Sequence, residues 1–125
     1  TINKEVLNPI VENDPSLLIG KKYRVLSLDS STKKEVITEK HPTITFNEGN
    51  KASIKLSVNG CFAAYSATAT ELKITVDGCT EACCDNKNDQ LFTSIMSNKT
   101  FHYQIKNNGL TFYDDKNKVI LEETE

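Results

Sequence analysis

Lys51-Ala52-Ser53-Ile54-Lys55-Leu56-Ser57-Val58-Asn59-Gly60 is the stretch on which the fold turns. Apolar Ala52, Ile54, Leu56 and Val58 alternate with polar Lys51, Ser53, Lys55 and Ser57. Only an extended chain sends successive side chains to opposite faces in this way. Asn59-Gly60 then supplies two residues that tolerate the positive φ of a tight hairpin turn. A strand with one apolar face followed by a reversal belongs to an antiparallel sheet that is packed on one side and wet on the other.

The same alternation recurs on both sides of this stretch. Ile44 and Phe46 alternate with Thr43 and Thr45; Leu72, Ile74 and Val76 with Lys73, Thr75 and Asp77; Phe101, Tyr103 and Ile105 with His102, Gln104 and Lys106. Turn-forming runs separate these segments at Asn47-Glu48-Gly49-Asn50, Asn107-Asn108-Gly109 and Asp114-Asp115-Lys116-Asn117. Sequential hairpins predict a curved antiparallel meander, a partial barrel of about 7–9 strands. One segment departs from period 2. Over residues 85–98, Leu91, Phe92, Ile95 and Met96 share a helical face. Asp85 or Asn86 can cap its N-terminus, and Asp85 and Asp89 complement the dipole there. The fold class is therefore α+β, mostly β, with one helix laid on the sheet.

The 125 residues suit a single domain. Residues 17–125 are expected to form it. Residues 1–16 are polar and interrupted by Asn8-Pro9 and Asp14-Pro15, which predicts an N-terminal tether or a loosely docked arm. The apolar fraction of 38% is enough for one modest core. Charges of both signs are interspersed to a net −2, so there is no basic stripe to meet a phosphate backbone, and nucleic acid is excluded as an expected partner. The apolar runs are far shorter than the roughly 20 residues that a membrane-spanning helix needs.

Cys61, Cys79, Cys83 and Cys84 bear on the compartment. An even number, with three close together and no C-x2-C pair, fits two disulfides in an oxidising space better than a metal site. Four cysteines permit three pairings, and residue spacing alone leaves them open. The chain begins at Thr1 with a polar stretch, as expected of a processed or a trimmed protein; processing would have removed an export signal.

Candidate chemistry is sparse. His41 and His102 are remote in sequence, share no metal-ligand spacing and read as solvated surface residues. Asp114-Asp115 and Glu122-Glu123 read as solvated acidic pairs. Asp85, Asn86, Asn88 and Asp89 lack the spacing of a calcium loop and read as helix caps. No nucleophile elbow, phosphate loop or dinucleotide fingerprint occurs. The expected catalytic, cofactor-binding and metal-binding sets are all none. Phe62 and Tyr113 stand apart, because each falls on the phase opposite its neighbouring apolar run. An exposed aromatic of that kind marks a partner surface.

Five segments taken in order resemble a known family. Gly20-Lys21-Lys22-Tyr23-Arg24-Val25 is similar to a glycine–aromatic opening, and Pro42-Thr43-Ile44-Thr45-Phe46 to a P-x-L-x-F strand. Gly60-Cys61 is similar to the start of a G-C-N motif, and Thr80-Glu81-Ala82-Cys83-Cys84 to a T-x-x-x-C motif with Gln90 following. Leu110-Thr111-Phe112-Tyr113-Asp114 is similar to a closing L-x-L-x-D strand. Together they resemble the META/HslJ-like family, with Tyr23 in place of its usual Trp and Phe62 in place of its Asn. Any role tied to that Asn is not expected to carry over.

The resemblance implies a secreted or lipid-anchored protein of the bacterial envelope, in the periplasm or at the outer membrane, with loose links to stress tolerance and no established enzymatic activity. It also implies a disulfide between Cys61 and Cys84, which leaves Cys79 and Cys83 to pair across a tight loop. The expected function is a non-enzymatic, monomeric interaction or structural module acting on a protein or another envelope component. Any membrane attachment would run through a removed, lipidated N-terminus. The alternatives are a small-ligand carrier with a lipocalin-like pocket and a proteinaceous hydrolase inhibitor; an enzyme has the least support.

Overall fold

The computed structural model describes residues 12–82, 86–96 and 99–124. Among them, nine strands run β1 (Lys22–Asp29), β2 (Lys34–Val36), β3 (Thr43–Asn47), β4 (Lys51–Lys55), β5 (Gly60–Ala67), β6 (Glu71–Cys79), β7 (Lys99–Lys106), β8 (Gly109–Tyr113) and β9 (Lys118–Thr124). Helix α1 (Lys87–Met96) lies between β6 and β7, and a 3₁₀ turn (Pro15–Leu18) precedes β1. The strands form one curved sheet in the order β2-β1-β3-β4-β5-β6-β7-β8-β9, and β9 pairs in addition with β1. The sheet thus curls until its last strand lies along its first. Strand β1 has two neighbours on one side, β3 against Lys22–Arg24 and β2 against Ser27–Asp29. This is the mostly-β, antiparallel, single-helix architecture that the alternation predicts.

Inside the curl the alternating residues interdigitate. Tyr103, Phe46, Phe92, Phe101 and Phe112 are all fully buried. Phe46 meets Tyr23 and Tyr65 edge-on at centroid distances of 6.0 and 4.9 Å, and Phe101 lies 5.2 Å from Phe112. Burying such side chains stabilises the fold by roughly 1.5–3 kcal/mol each before entropy is charged against it. The helix contributes Phe92, Ile95 and Met96 to this core and packs against β1 and β6.

Most turns follow the sequence reading. Gly49 and Asn50 take positive φ between β3 and β4, and Asn107 does so between β7 and β8. At β8–β9 the Asp114 carboxylate accepts from the backbone N–H groups of Lys116 and Asn117, both at 2.8 Å. Burial pushes this carboxyl upward, but those donated bonds outweigh it and hold the group below its ordinary value.

Two expectations need correction. Strand β4 stops at Lys55, and Val58 is 48% exposed rather than buried. The β4–β5 reversal spans Leu56–Asn59, closed by Leu56 N–H donating to the Asn59 carbonyl at 2.8 Å, so Asn59-Gly60 is not the two-residue turn. The Asn59 side chain is drawn instead to the segment after β6: its Oδ1 accepts from Thr80 Oγ1 and Ala82 N, and its Nδ2 donates to the Ala82 carbonyl, all at 2.8 Å.

The second correction concerns sulfur. Cys61 is bonded to Cys79, not to Cys84, and the Cys79–Cys83 pair is excluded with it. The cause is register: β5 and β6 place Cys61 directly opposite Cys79, with Cα atoms 4.0 Å apart. Cys83 and Cys84 lie outside the described residues.

Of the N-terminal arm, residues 1–11 lie outside the described residues, and within 12–16 Asn13 is tied to the sheet. Asn13 N–H donates to the Ala69 carbonyl at 2.7 Å, its Nδ2 to Tyr103 O at 2.8 Å, and its Oδ1 accepts from Ile105 N at 2.9 Å. Asp14 caps the 3₁₀ turn, and the Ser16 hydroxyl and amide lower its pKa.

Candidate binding surface

Strand β5 carries a burial alternation in which Cys61, Ala63 and Tyr65 point to the core and Phe62 points out. Phe62 is 70% exposed, which for a phenyl ring leaves a large apolar area in water. Strand register places Lys22, Thr45, Ser53, Phe62 and Gly78 side by side across β1, β3, β4, β5 and β6. Lys51 and Lys55 flank Ser53 on β4, so both stand diagonal to Phe62, at the roughly 7–8 Å typical of such neighbours. Gly78 opposes the ring from β6 and offers no side chain to cover it. A β-bulge between Phe62 and Ala63 and the disulfide one residue earlier hold this end of the β5–β6 ladder.

Tyr113, the other expected surface aromatic, is half-buried at the end of β8. Its ring lies 5.8 Å from that of His102, its direct partner on β7. The row from Tyr113 through His102 reaches β6 at Glu71, whereas Phe62 meets β6 at Gly78. That separates the two by roughly 20 Å of extended strand, so they do not share one surface.

The histidines are more enclosed than the sequence reading allows. His41 is half-buried, and its Nδ1 lies 2.7 Å from the Val25 carbonyl. A carbonyl only accepts, so Nδ1 carries the proton and Nε2 is the ring's remaining polar atom. His102 is half-buried, and its Nδ1 is buried with no hydrogen-bond partner among the described residues. Among the described residues no three of His, Cys, Asp and Glu gather where they could hold a metal ion.

The helix N-terminus is a reciprocal cap. Asn86 Oδ1 accepts from Asp89 N at 2.8 Å, and Asp89 Oδ2 accepts from Asn86 N at 3.2 Å. Asp89 is fully buried. Its Oδ2 also accepts from Ser57 N at 3.0 Å, and Asn86 Nδ2 donates to Ser57 Oγ at 2.9 Å. These bonds tie the helix to the β4–β5 turn. The i, i+3 spacing of Asn86 and Asp89 was a readable signal for the cap; nothing local announced the link to Ser57, nor the role of Asn59.

Beside this junction runs an open groove of about 480 Å³, lined by Lys22, Lys40, His41 and Lys55, with Thr43 and Asn86 between them. Leu56, Ser57 and Val58 complete its wall. A second groove of about 490 Å³ holds His102 with Glu71, Lys99, Asp114, Asp115 and Lys116, and its charges are of mixed sign. No described helix is long and apolar enough to cross a membrane.

The model of the META domain family matches residues 16–125. No curated protein matches the chain significantly. Among solved structures, the NMR structure of a protein from Burkholderia xenovorans is similar at 12% identity with a TM-score of 0.65, over 99% of this chain and 97% of that one. An uncharacterized protein from Bacteroides eggerthii is similar at 12% identity and a TM-score of 0.60, over 86% and 99%. A lipocalin-like protein from Bacteroides uniformis is similar at 17% identity and a TM-score of 0.58, over 86% and 98%. At such identities the likeness is one of fold.

Proposed function

The chain belongs to the META domain family, and from that premise we propose that it is a non-enzymatic, extracytoplasmic interaction module of the cell envelope. Its partner, a protein or another envelope component, is engaged through the outer face of β4–β6. The observation that carries this reading is Phe62, exposed at 70% on a disulfide-braced ladder with Lys51 and Lys55 diagonal to it. A ring so exposed adds little to the isolated domain, whereas aromatic anchors contribute much of the affinity at interfaces. The Cys61–Cys79 bond supports an oxidising compartment. The carrier reading has less behind it, because the space inside the curl is occupied by Phe46, Phe92, Phe101, Tyr103 and Phe112.

A photo-crosslinking residue at position 62, introduced into the protein in its native cells, tests the proposal. The expected result is a discrete adduct from position 62 and none from Lys118, which is exposed on β9. Phe62→Ser should abolish a partner captured from a neighbouring position such as Ser53 while shifting folding stability by no more than about 0.5 kcal/mol. Equal adducts from positions 62 and 118, or none from either, would count against it. Trapping of free thiols in intact cells checks the compartment: Cys61 and Cys79 should resist alkylation until a reductant is added.

A further inference from the structure

We propose that the groove between the β4–β5 turn and the segment leading into β3 is a binding site for a small anion, a phosphate or carboxylate carried on a short apolar body. The chain as a whole is slightly acidic, with net charge −2, yet among the described residues this groove is lined by Lys22, Lys40, Lys55 and His41 and by no carboxylate. The cations are unspent: the ion pairs among the described residues are Lys21–Glu123 and Arg24–Glu122, and neither involves a groove lysine. Three ammonium groups facing one concavity repel one another unless an anion sits among them. Thr43 and Ser57 add hydroxyls that can donate to an oxyanion, Ser57 Oγ keeping its O–H while it accepts from Asn86.

The lining is not wholly polar: Leu56 and Val58 belong to it, and Val58 is 48% exposed. A bare inorganic ion would leave that surface wet, so the arrangement suits an amphipathic anion. At about 480 Å³ the groove falls within the range of small-ligand sites. The adjoining groove, bordered by Glu35, Glu39, Lys40 and Lys87, is of mixed sign, which confines the positive field to the first.

Lys40 adds an independent detail. Its φ is +52°, in the left-handed region that disfavours a residue with a β-carbon. Glycine would sit there without strain, so replacing Lys40 by glycine removes the ammonium group while relaxing the backbone. The inference goes beyond the interaction reading; Lys55 borders both surfaces, but crosslinking from residue 62 tests the one, and ligand titration with the Lys40 variant tests the other.

The test is an NMR titration of the ¹⁵N-labelled full chain with n-hexyl phosphate, with n-hexanol and inorganic phosphate as controls. Saturable shifts confined to the amides around Lys22, His41, Lys55 and Ser57 are expected for hexyl phosphate. Both controls should bind at least tenfold more weakly. Lys55→Ser and Lys40→Gly should each weaken binding at least threefold, and Lys40→Gly should do so without lowering the melting temperature, because it relaxes the backbone. Equal binding of hexanol, shifts centred elsewhere, or unchanged affinity in both lysine variants would overturn the proposal. Sedimentation with phosphatidylglycerol vesicles, against phosphatidylcholine vesicles, separates the two sources of such an anion. Lysine-dependent co-sedimentation assigns the groove to a lipid headgroup; hexyl phosphate binding without it assigns the groove to a free metabolite.

Discussion

The β7–β8–β9 meander and the junction where α1 meets the β4–β5 turn are held together by different physics. In the meander each strand pairs with the next across a short turn, and the core face is apolar: Phe101, Tyr103, Leu110, Phe112, Val119 and Leu121 are all buried. In the junction, contacts of long sequence separation are made by polar side chains: Asn59 on the backbone of Ala82, Asp89 on the backbone N–H of Ser57, and Asn86 on the Ser57 hydroxyl. The first region is a periodic pattern made solid. The second is a small set of hydrogen bonds, each of which leaves a partner stranded if it is removed.

This contrast can be sharpened by mutation, and the largest effect should come from the meander. Phe112→Ala leaves a cavity beside Phe101 and should cost about 3–5 kcal/mol in denaturant-measured stability. A cost under 1 kcal/mol would show that the meander's packing is looser than its burial suggests. Next comes the bond that borders the junction. Replacing Cys61 and Cys79 together by Ala should cost about 3 kcal/mol, given their separation of 18 residues. Asn59→Ala follows. It unseats residues 80–82 and strands the N–H of Ala82, for an expected loss of about 2 kcal/mol, with amide exchange rising around Gly60, Thr80 and Ala82 and not in β8. Exchange rising equally in both regions would erase the distinction.

The smallest effect appears only at high pH, on the seam that joins the meander to β1. Burial, aided by the charge of Glu123, pushes the Tyr23 hydroxyl up to about 12. The folded state therefore holds its proton more tightly than the unfolded chain, whose tyrosine titrates near 10. Stability from this group is fully present below about pH 10 and is lost as pH rises towards about 12. Tyr23→Phe should flatten that alkaline decline in a pH series of thermal melts; an unchanged decline would assign it to other groups, Tyr65 and Tyr103 among them, whose burial also raises them.

The same contrast explains what could be read before the coordinates. Strands such as Ile44–Phe46 and Leu72–Ile74, the helix over Leu91–Met96, and the turns at Gly49-Asn50, Asn107 and Asp114 follow from local periodicity and turn chemistry. Exposure of Phe62 was legible too, since its phase opposes that of Cys61 and Ala63. The behaviour of Asn59 was not. An Asn-Gly pair normally signals a hairpin, and here the amide is recruited by a segment more than twenty residues away. The pairing of Cys61 with Cys84 that the resemblance implied failed for a related reason: the order of motifs along the chain does not say which residues stand opposite once register is set. The lysine groove was equally hidden, because Lys22, Lys40 and Lys55 come from three separate segments that only the curl of the sheet brings together.

One register underlies both the bond and the face assigned to binding: the pairing of β5 with β6 that sets Cys61 against Cys79 also sets Phe62 outward against Gly78. Digestion of the unreduced protein with a glutamate-specific protease reads it directly, because Glu71 and Glu81 fall between the relevant cysteines. Mass spectrometry should find the fragment containing Cys61 joined to Leu72–Glu81, which contains Cys79. A fragment joining Cys61 to the stretch that holds Cys83 and Cys84 would contradict the register, and with it the placement of Phe62.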